Sequence, residues 1–211
     1  LRKIEDQVNF LQSKENSNKV IVFSNEMYIN ESGEELNLKN VEYLKNHFIE
    51  NLLIRKELGG CSLLIPKEAF VESGLFSSSL RTVQDYQKFI DFYCRGYRYA
   101  FCNIIASKSR IHDGQVSKKK KKLIVKETDD LHLNVLTNGF SDIYSMARIS
   151  GSLYALLFMY FKQGLWKSAN FLFMRFISEE KNIRKITLLV MYPVYFCVFL
   201  IRKTLVSFLG V

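Results

Sequence analysis

Asp85 is the acid in this chain whose surroundings best suit proton transfer. It follows the turn-like Ser77-Ser78-Ser79 and precedes Tyr86, Phe89, Ile90 and Tyr93, which share one helical face that Gly96 ends. A carboxylate at that place could take a proton from a hydroxyl nucleophile. It could equally cap the helix, for which Asp is a preferred residue, and a cap would fix the carboxylate's direction. On spacing alone the cap is the stronger account. Gly59-Gly60 stands before the apolar residues 61–65, where the absence of a Cβ allows close backbone approach. Taken alone the pair is a helix-to-strand turn, and Ser62 behind it either offers a hydroxyl to the site or points inward from the strand. Arg110-Ile111-His112-Asp113-Gly114-Gln115 closes the region. A guanidinium fork suits phosphate, and imidazole is a reasonable ligand for Mn, less so for Mg. Without further context His112 reads as a loop histidine. His47 and His132 read as structural or exposed.

The elements that must position these residues alternate between helix and strand. Leu1, Ile4, Val8 and Leu11 recur at helical spacing, and residues 19–24 form an apolar run of strand type that Met27-Tyr28-Ile29 continues or pairs with. Asn30-Glu31-Ser32-Gly33 is a turn. Val41, Leu44, Phe48 and Leu52 predict a second amphipathic helix. Residues 61–65 predict a buried strand stopped by Pro66, which cannot donate to a ladder. Residues 67–73 predict a short helix with Gly74 as a left-handed cap, and residues 98–106 predict the next strand. This succession argues for an α/β layer.

After Ser117 the character changes. Residues 118–122 are an unbroken lysine run, read as solvated chain. Residues 131–149, 152–161 and 165–177 are helical in pattern. The apolar block at 186–201 is 16 residues long and flanked by basic pairs. At ~1.5 Å per residue it spans roughly 24 Å, short of the ~30 Å hydrocarbon core, and Pro193 would kink it. An interfacial or re-entrant anchor fits better than a clean span, with a tilted span recruiting residues 204–211 as the alternative.

The charge is partitioned. Residues 1–117 hold 15 Lys/Arg against 15 Asp/Glu, whereas residues 118–211 hold 15 against six, so the net +9 lies wholly in the second segment. Base interleaved with apolar runs fits an anionic membrane surface. A nucleic-acid partner is excluded as a reading because the neutral first segment offers no basic face. The four cysteines form no CxxC pair or ligand cluster and read as buried or membrane-facing thiols of a reducing compartment. No secretory signal opens the chain, and its start at Leu1 suggests a piece of a longer protein.

In order and spacing, the glycine pair, the acid of Val83-Gln84-Asp85-Tyr86 and the closing Arg110-Ile111-His112 resemble the acceptor-side half of a family 2 glycosyltransferase, an inverting nucleotide-sugar enzyme with a GT-A fold. The resemblance covers about residues 1–117. It implies a truncated GT-A-like α/β layer, the C-terminal half of the catalytic domain, followed by a helical membrane-associating tail at 118–211. It further implies Asp85 as catalytic base, and Gly59, Gly60, Ser62, Gln84 and Arg110 at the donor and acceptor sites. His112 would hold a divalent metal, Mn or Mg, on the donor diphosphate. The family's acidic pair is here Gln84-Asp85, and loss of the acidic neighbour should make Asp85 easier to ionise. No Asp-x-Asp occurs in the chain, so the nucleotide-binding half is expected elsewhere and this piece alone is expected to be inactive. The implied reaction moves a sugar from a nucleotide sugar to a hydroxyl on a lipid-linked or saccharide acceptor, at the cytoplasmic face of the membrane, in surface polysaccharide or glycolipid assembly. A non-catalytic, membrane-anchored binding or scaffold module is the competing reading.

Overall fold

A computed structural model describes residues 2–14, 17–46, 48–55, 58–138 and 153–179. The chain forms two compact units, Leu1–Glu127 and Thr128–Val211. The boundary falls inside a helix that begins in the lysine run.

The first unit is built around one strand. β1 (Val20–Ile29) is central in a sheet that, among the described residues, has three strands in the order β2-β1-β3. β2 (Glu35–Lys39) pairs with it antiparallel and β3 (Arg98–Arg110) parallel. Because β1 is flanked on both sides, its first seven residues are all buried, including the polar Ser24, Asn25 and Glu26. Burial of polar groups is tolerable only with partners, and each has one. Gln7 donates to Ser24 Oγ at 3.0 Å, Asn25 Oδ1 accepts the Val41 N–H at 3.0 Å, and Glu26 pairs with Lys39 at 3.1 Å. The run at 19–24 and Met27-Tyr28-Ile29 are therefore one strand.

Val20 faces Arg98 and Ile29 faces Arg110, with register shifts on either side of Asn25. β3 is longer than β1 by the residues those bulges absorb, which is why it runs on to Arg110 instead of ending at residue 106. Bulges bend a strand and re-aim its side chains.

α1 (Lys3–Gln12) covers one face, where Phe10 and Leu11 pack on Val20, Val22 and Cys102. An aromatic group forms a second cluster. Phe48 lies between Phe23, at 5.9 Å between ring centroids, and Tyr99, stacked at 3.7 Å. Phe48 belongs to α2 (Phe48–Arg55). The long helix expected through Val41, Leu44, Phe48 and Leu52 is broken: Glu42–Lys45 is a 3-10 turn and α2 follows separately. Both pieces still bury their apolar positions, since Val41, Leu44 and Leu52 are inaccessible.

The strand expected at 61–65 shrinks to a single antiparallel bridge between Leu64 and Val22. Gly60–Ser62 winds into a 3-10 turn before it and Pro66 ends it, leaving room for one ladder step. α3 (Lys67–Ser73) follows and stops at Gly74, which takes φ of 75°. α4 (Gln84–Cys94) ends at Gly96, whose φ of 79° turns the chain into Tyr97 and β3. The lysine run is not loose chain: Lys118 and Lys119 lie in α5 (Val116–Lys119), and Lys121 and Lys122 open α6 (Lys121–Thr137).

In the second unit the described residues are the end of α6 with α7 (Leu153–Gln163) and α8 (Trp166–Glu179), joined through Gly164 at φ of 75°. Asp129 caps α8, accepting the N–H groups of Lys167 and Ser168 and the Ser168 hydroxyl at 2.7–3.0 Å. Leu156, Tyr160, Leu165, Ala169 and Leu172 are buried in it. No helix among the described residues is long and apolar enough to cross a membrane, and the block at 186–201 lies outside them. Cys61, Cys94 and Cys102 are free thiols; Cys102 is buried, and Cys61 and Cys94 are exposed.

Candidate active site

Asp85 lies in the first turn of α4, not at its cap. The N-cap is Val83, which makes no side-chain bond to the helix, and Asp85 Oδ1 accepts the N–H of Tyr86 at 2.8 Å. A carboxylate there meets the positive end of the helix dipole. The residue is open to solvent on one side. Burial of the carboxyl by its surroundings is nevertheless the largest influence on it and holds its pKa above the ordinary value. The N–H groups of Tyr86 and of Asp85 itself, and the Lys39 charge, pull downward without cancelling that rise. Gln84 is turned inward and its amide donates to the Leu80 carbonyl, tying down the segment that leads into α4.

The Lys39 that acts on Asp85 comes from the end of β2, where it pairs with Glu26 across the ladder. Both are poorly exposed, the Glu26 side chain at 4% and the Lys39 side chain at 16%. Glu26 Oε2 takes the lysine, whereas Oε1 is buried with no hydrogen-bond partner among the described residues. That free oxygen faces Gly59: a Cβ there would come within 2.1 Å of it. Gly59 has an ordinary extended backbone, φ −95°, so glycine is required for space rather than for torsion. The close approach anticipated at the glycine pair thus exists, and at Gly59 its partner is the Glu26 carboxylate. Gly60 differs, since a Cβ on it would only touch Phe89 of α4 at 4.0 Å. Ser62 is buried and its hydroxyl donates to the Gly59 carbonyl at 2.8 Å, while Gln7 donates to the Ser62 carbonyl at 2.8 Å. Ser62 shapes the turn. Asp85, Lys39, Glu26 and Gly59 are therefore linked through neighbours, whereas Ser62 and Gln84 act on local backbone.

The closing motif stands at the C-terminal ends of β1 and β3, where Ile29 faces Arg110, three residues beyond Glu26 along β1. Arg110 Nη1 donates to the carbonyls of Asn30 at 2.8 Å and Glu31 at 2.6 Å, clasping the turn at 30–33. Gln115 donates to the Arg110 carbonyl, and Lys118 pairs with Asp113 at 2.8 Å. His112 is exposed in a shallow recess of about 460 Å³ with Asn30, Glu31, Ser32, Ile111, Asp113 and Lys118. Asp113 is held below the ordinary carboxylate value, first by its hydrogen bond from Lys118 and then by that charge. Among the described residues no three His, Cys, Asp or Glu side chains converge to hold an ion. His112 could offer one imidazole nitrogen to a metal whose other ligands come with a diphosphate.

Sequence reasoning missed Glu26, Lys39 and Glu127. Glu26 carries a signal, a charge inside a strand, but its partner lies on another strand. Glu127 is buried in α6, and its carboxylate accepts the N–H groups of Arg81 and Thr82 at 3.0 and 2.8 Å.

The chain is distantly related to bacterial glycosyltransferases. It is 37% identical over 129 residues to an uncharacterized glycosyltransferase of Rickettsia felis, covering 56% of this chain and 20% of that protein. It is 33% identical over 119 residues to one of Rickettsia typhi, covering 54% of this chain and 37% of that protein. A third, from Rickettsia bellii, is 33% identical over 132 residues, covering 56% of this chain and 17% of that protein. The chain thus spans only between a sixth and two fifths of the length of these relatives. No family model matches the chain. No solved structure matches it.

Proposed function

We propose that residues 1–117 are the acceptor-side half of a family 2, GT-A-type glycosyltransferase, in which Asp85 is the general base. The observation that carries this reading is the Asp85 carboxyl itself: solvent-reachable, held in the first turn of a helix, and raised in pKa by burial. A base is most effective when its pKa approaches the working pH. In the proposed step Asp85 accepts the proton of an acceptor hydroxyl as that oxygen attacks the anomeric carbon of a nucleotide sugar. The new C–O bond forms on the face opposite the departing nucleoside diphosphate, so the configuration inverts. Arg110 and His112 stand for the diphosphate side. A divalent metal, Mn or Mg, would neutralise the leaving charge when bound, with His112 as one ligand. The Arg110 Nη1 group is already committed to the turn at 30–33, so its remaining donors would meet phosphate.

The basic, apolar residues 118–211 would keep the enzyme at an anionic membrane surface on the cytoplasmic side, next to a lipid-linked or saccharide acceptor. The charge partition supports this, since the whole net +9 lies there. Flotation with anionic liposomes tests it: the intact chain should float and a chain ending at Ser117 should not. An intact chain that stays in the soluble fraction would refute the membrane role.

The test of the catalytic reading is Asp85→Asn in the full-length protein that contains this chain. Sugar transfer should fall by ~10²–10⁴-fold with folding retained. Turnover near the unsubstituted rate would remove Asp85 from the reaction.

A further inference from the structure

In the segment at residues 80–83 that launches α4, Val83 is buried, whereas Arg81 is exposed and Leu80 and Thr82 are half-buried. Ahead of Val83 its position is set by polar bonds. Glu127, 46 residues along the chain from Arg81, accepts the Arg81 N–H at 3.0 Å, the Thr82 N–H at 2.8 Å and the Thr82 hydroxyl at 2.5 Å. Oε1 serves the first and Oε2 the other two. From the other side the Gln84 amide donates to the Leu80 carbonyl. The chain entering α4 is therefore held at both of its ends, three residues before the carboxylate of Asp85.

We infer that Glu127 is a positioning residue for Asp85, fixing the segment from which α4 starts and so the direction in which the Asp85 carboxylate meets an acceptor hydroxyl. The inference rests on the reading of Asp85 as base. An ionised carboxylate suits the task because it is a pure acceptor with two oxygens, whereas a Gln in its place offers one acceptor oxygen and two donors. Burial pushes the Glu127 carboxyl up, but the Thr82 hydroxyl and the N–H groups of Arg81, Thr82 and Val83 outweigh it and hold its pKa below the ordinary value. Glu127, in the first two turns of α6, is part of the first unit and orders the site from within it. Displacing a reacting group by about 1 Å costs on the order of 100-fold in rate, so a residue with no contact to substrate can matter this much.

The test uses the full-length protein with release of nucleoside diphosphate from UDP-glucose, UDP-galactose and GDP-mannose as readout. Glu127→Ala should lower kcat by ~100-fold and change KM by no more than about threefold. Glu127→Gln, keeping one acceptor oxygen, should lower kcat by about tenfold. The double variant with Asp85→Asn should be no slower than Asp85→Asn alone, since a positioning role has nothing left to position. Amide hydrogen exchange at Arg81 and Thr82 should accelerate at least ~10-fold in Glu127→Ala. An unchanged kcat in Glu127→Ala beside an inactive Asp85→Asn overturns the positioning role and leaves the base in place. Normal turnover in Asp85→Asn overturns the base, and the inference with it. If Glu127→Ala does not fold, Glu127→Gln decides: a lowered kcat supports the role and an unchanged one overturns it.

Discussion

The two motifs that bracket this unit, around Asp85 and around His112, are built on different principles. Near Asp85 the polar groups are buried and few. Glu26 and Lys39 pair out of solvent, Gly59 is packed on Glu26, and Glu127 collects the donors of Arg81 and Thr82. Near His112 the polar groups are exposed and are spent on one another and on a turn, as with Arg110 on Asn30 and Glu31, and Lys118 on Asp113. Low local dielectric makes each interaction of the first kind costly to break, while solvent screens the second. If Asp85 is the base proposed above, a carboxylate that must point in one direction sits beside the buried group. An imidazole that would meet a flexible diphosphate and a mobile ion stands in the adaptable one.

The contrast can be broken first at its strongest point. Lys39→Met leaves the Glu26 carboxylate buried beside an apolar chain and should cost about 3 kcal/mol of stability, measured by denaturant unfolding. The same change removes a positive charge that lowers the Asp85 pKa. That pKa, already raised by burial, should rise further, so the acidic limb of kcat/KM should move to higher pH. A limb that stays in place or moves to lower pH would separate Lys39 from Asp85.

The glycine pair gives a smaller and sharper test. Gly59→Ala forces a methyl into the Glu26 carboxylate and should cost roughly 1–3 kcal/mol. Gly60→Ala, with ordinary van der Waals room beside Phe89, should cost under about 1 kcal/mol. Equal effects would mean that Glu26 swings aside freely and is not fixed by Lys39.

At the His112 end the expected effects are least. Arg110→Ala loses two solvent-exposed bonds to the turn at 30–33 and should destabilise by about 1 kcal/mol. Glu127 supplies the corresponding pH signature in the rigid region. Its folded pKa lies below the unfolded one, so its contribution to stability is complete above the ordinary carboxylate range. That contribution is lost as pH falls through the lowered value. Urea titrations across that range should show a slope that Glu127→Gln removes.

Local chemistry in the chain was enough to determine most of the helices and turns. Lys67–Ser73 begins after Pro66 and ends at Gly74, and Gly33, Gly74 and Gly96 all take the positive φ that their turn positions imply. These features depend on neighbours a few residues away, which sequence displays directly. The tertiary structure alone decided the rest. β1 runs unbroken through Ser24, Asn25 and Glu26 because Gln7, Val41 and Lys39 come to meet them. Asp85 has its raised pKa because surrounding protein desolvates it, and its approach segment is held by Glu127 from a helix that composition assigned to the tail. A buried polar group can be read from a sequence as a type and a position. Its meaning comes from the partner that folding delivers, and that partner is set by the path of the whole chain.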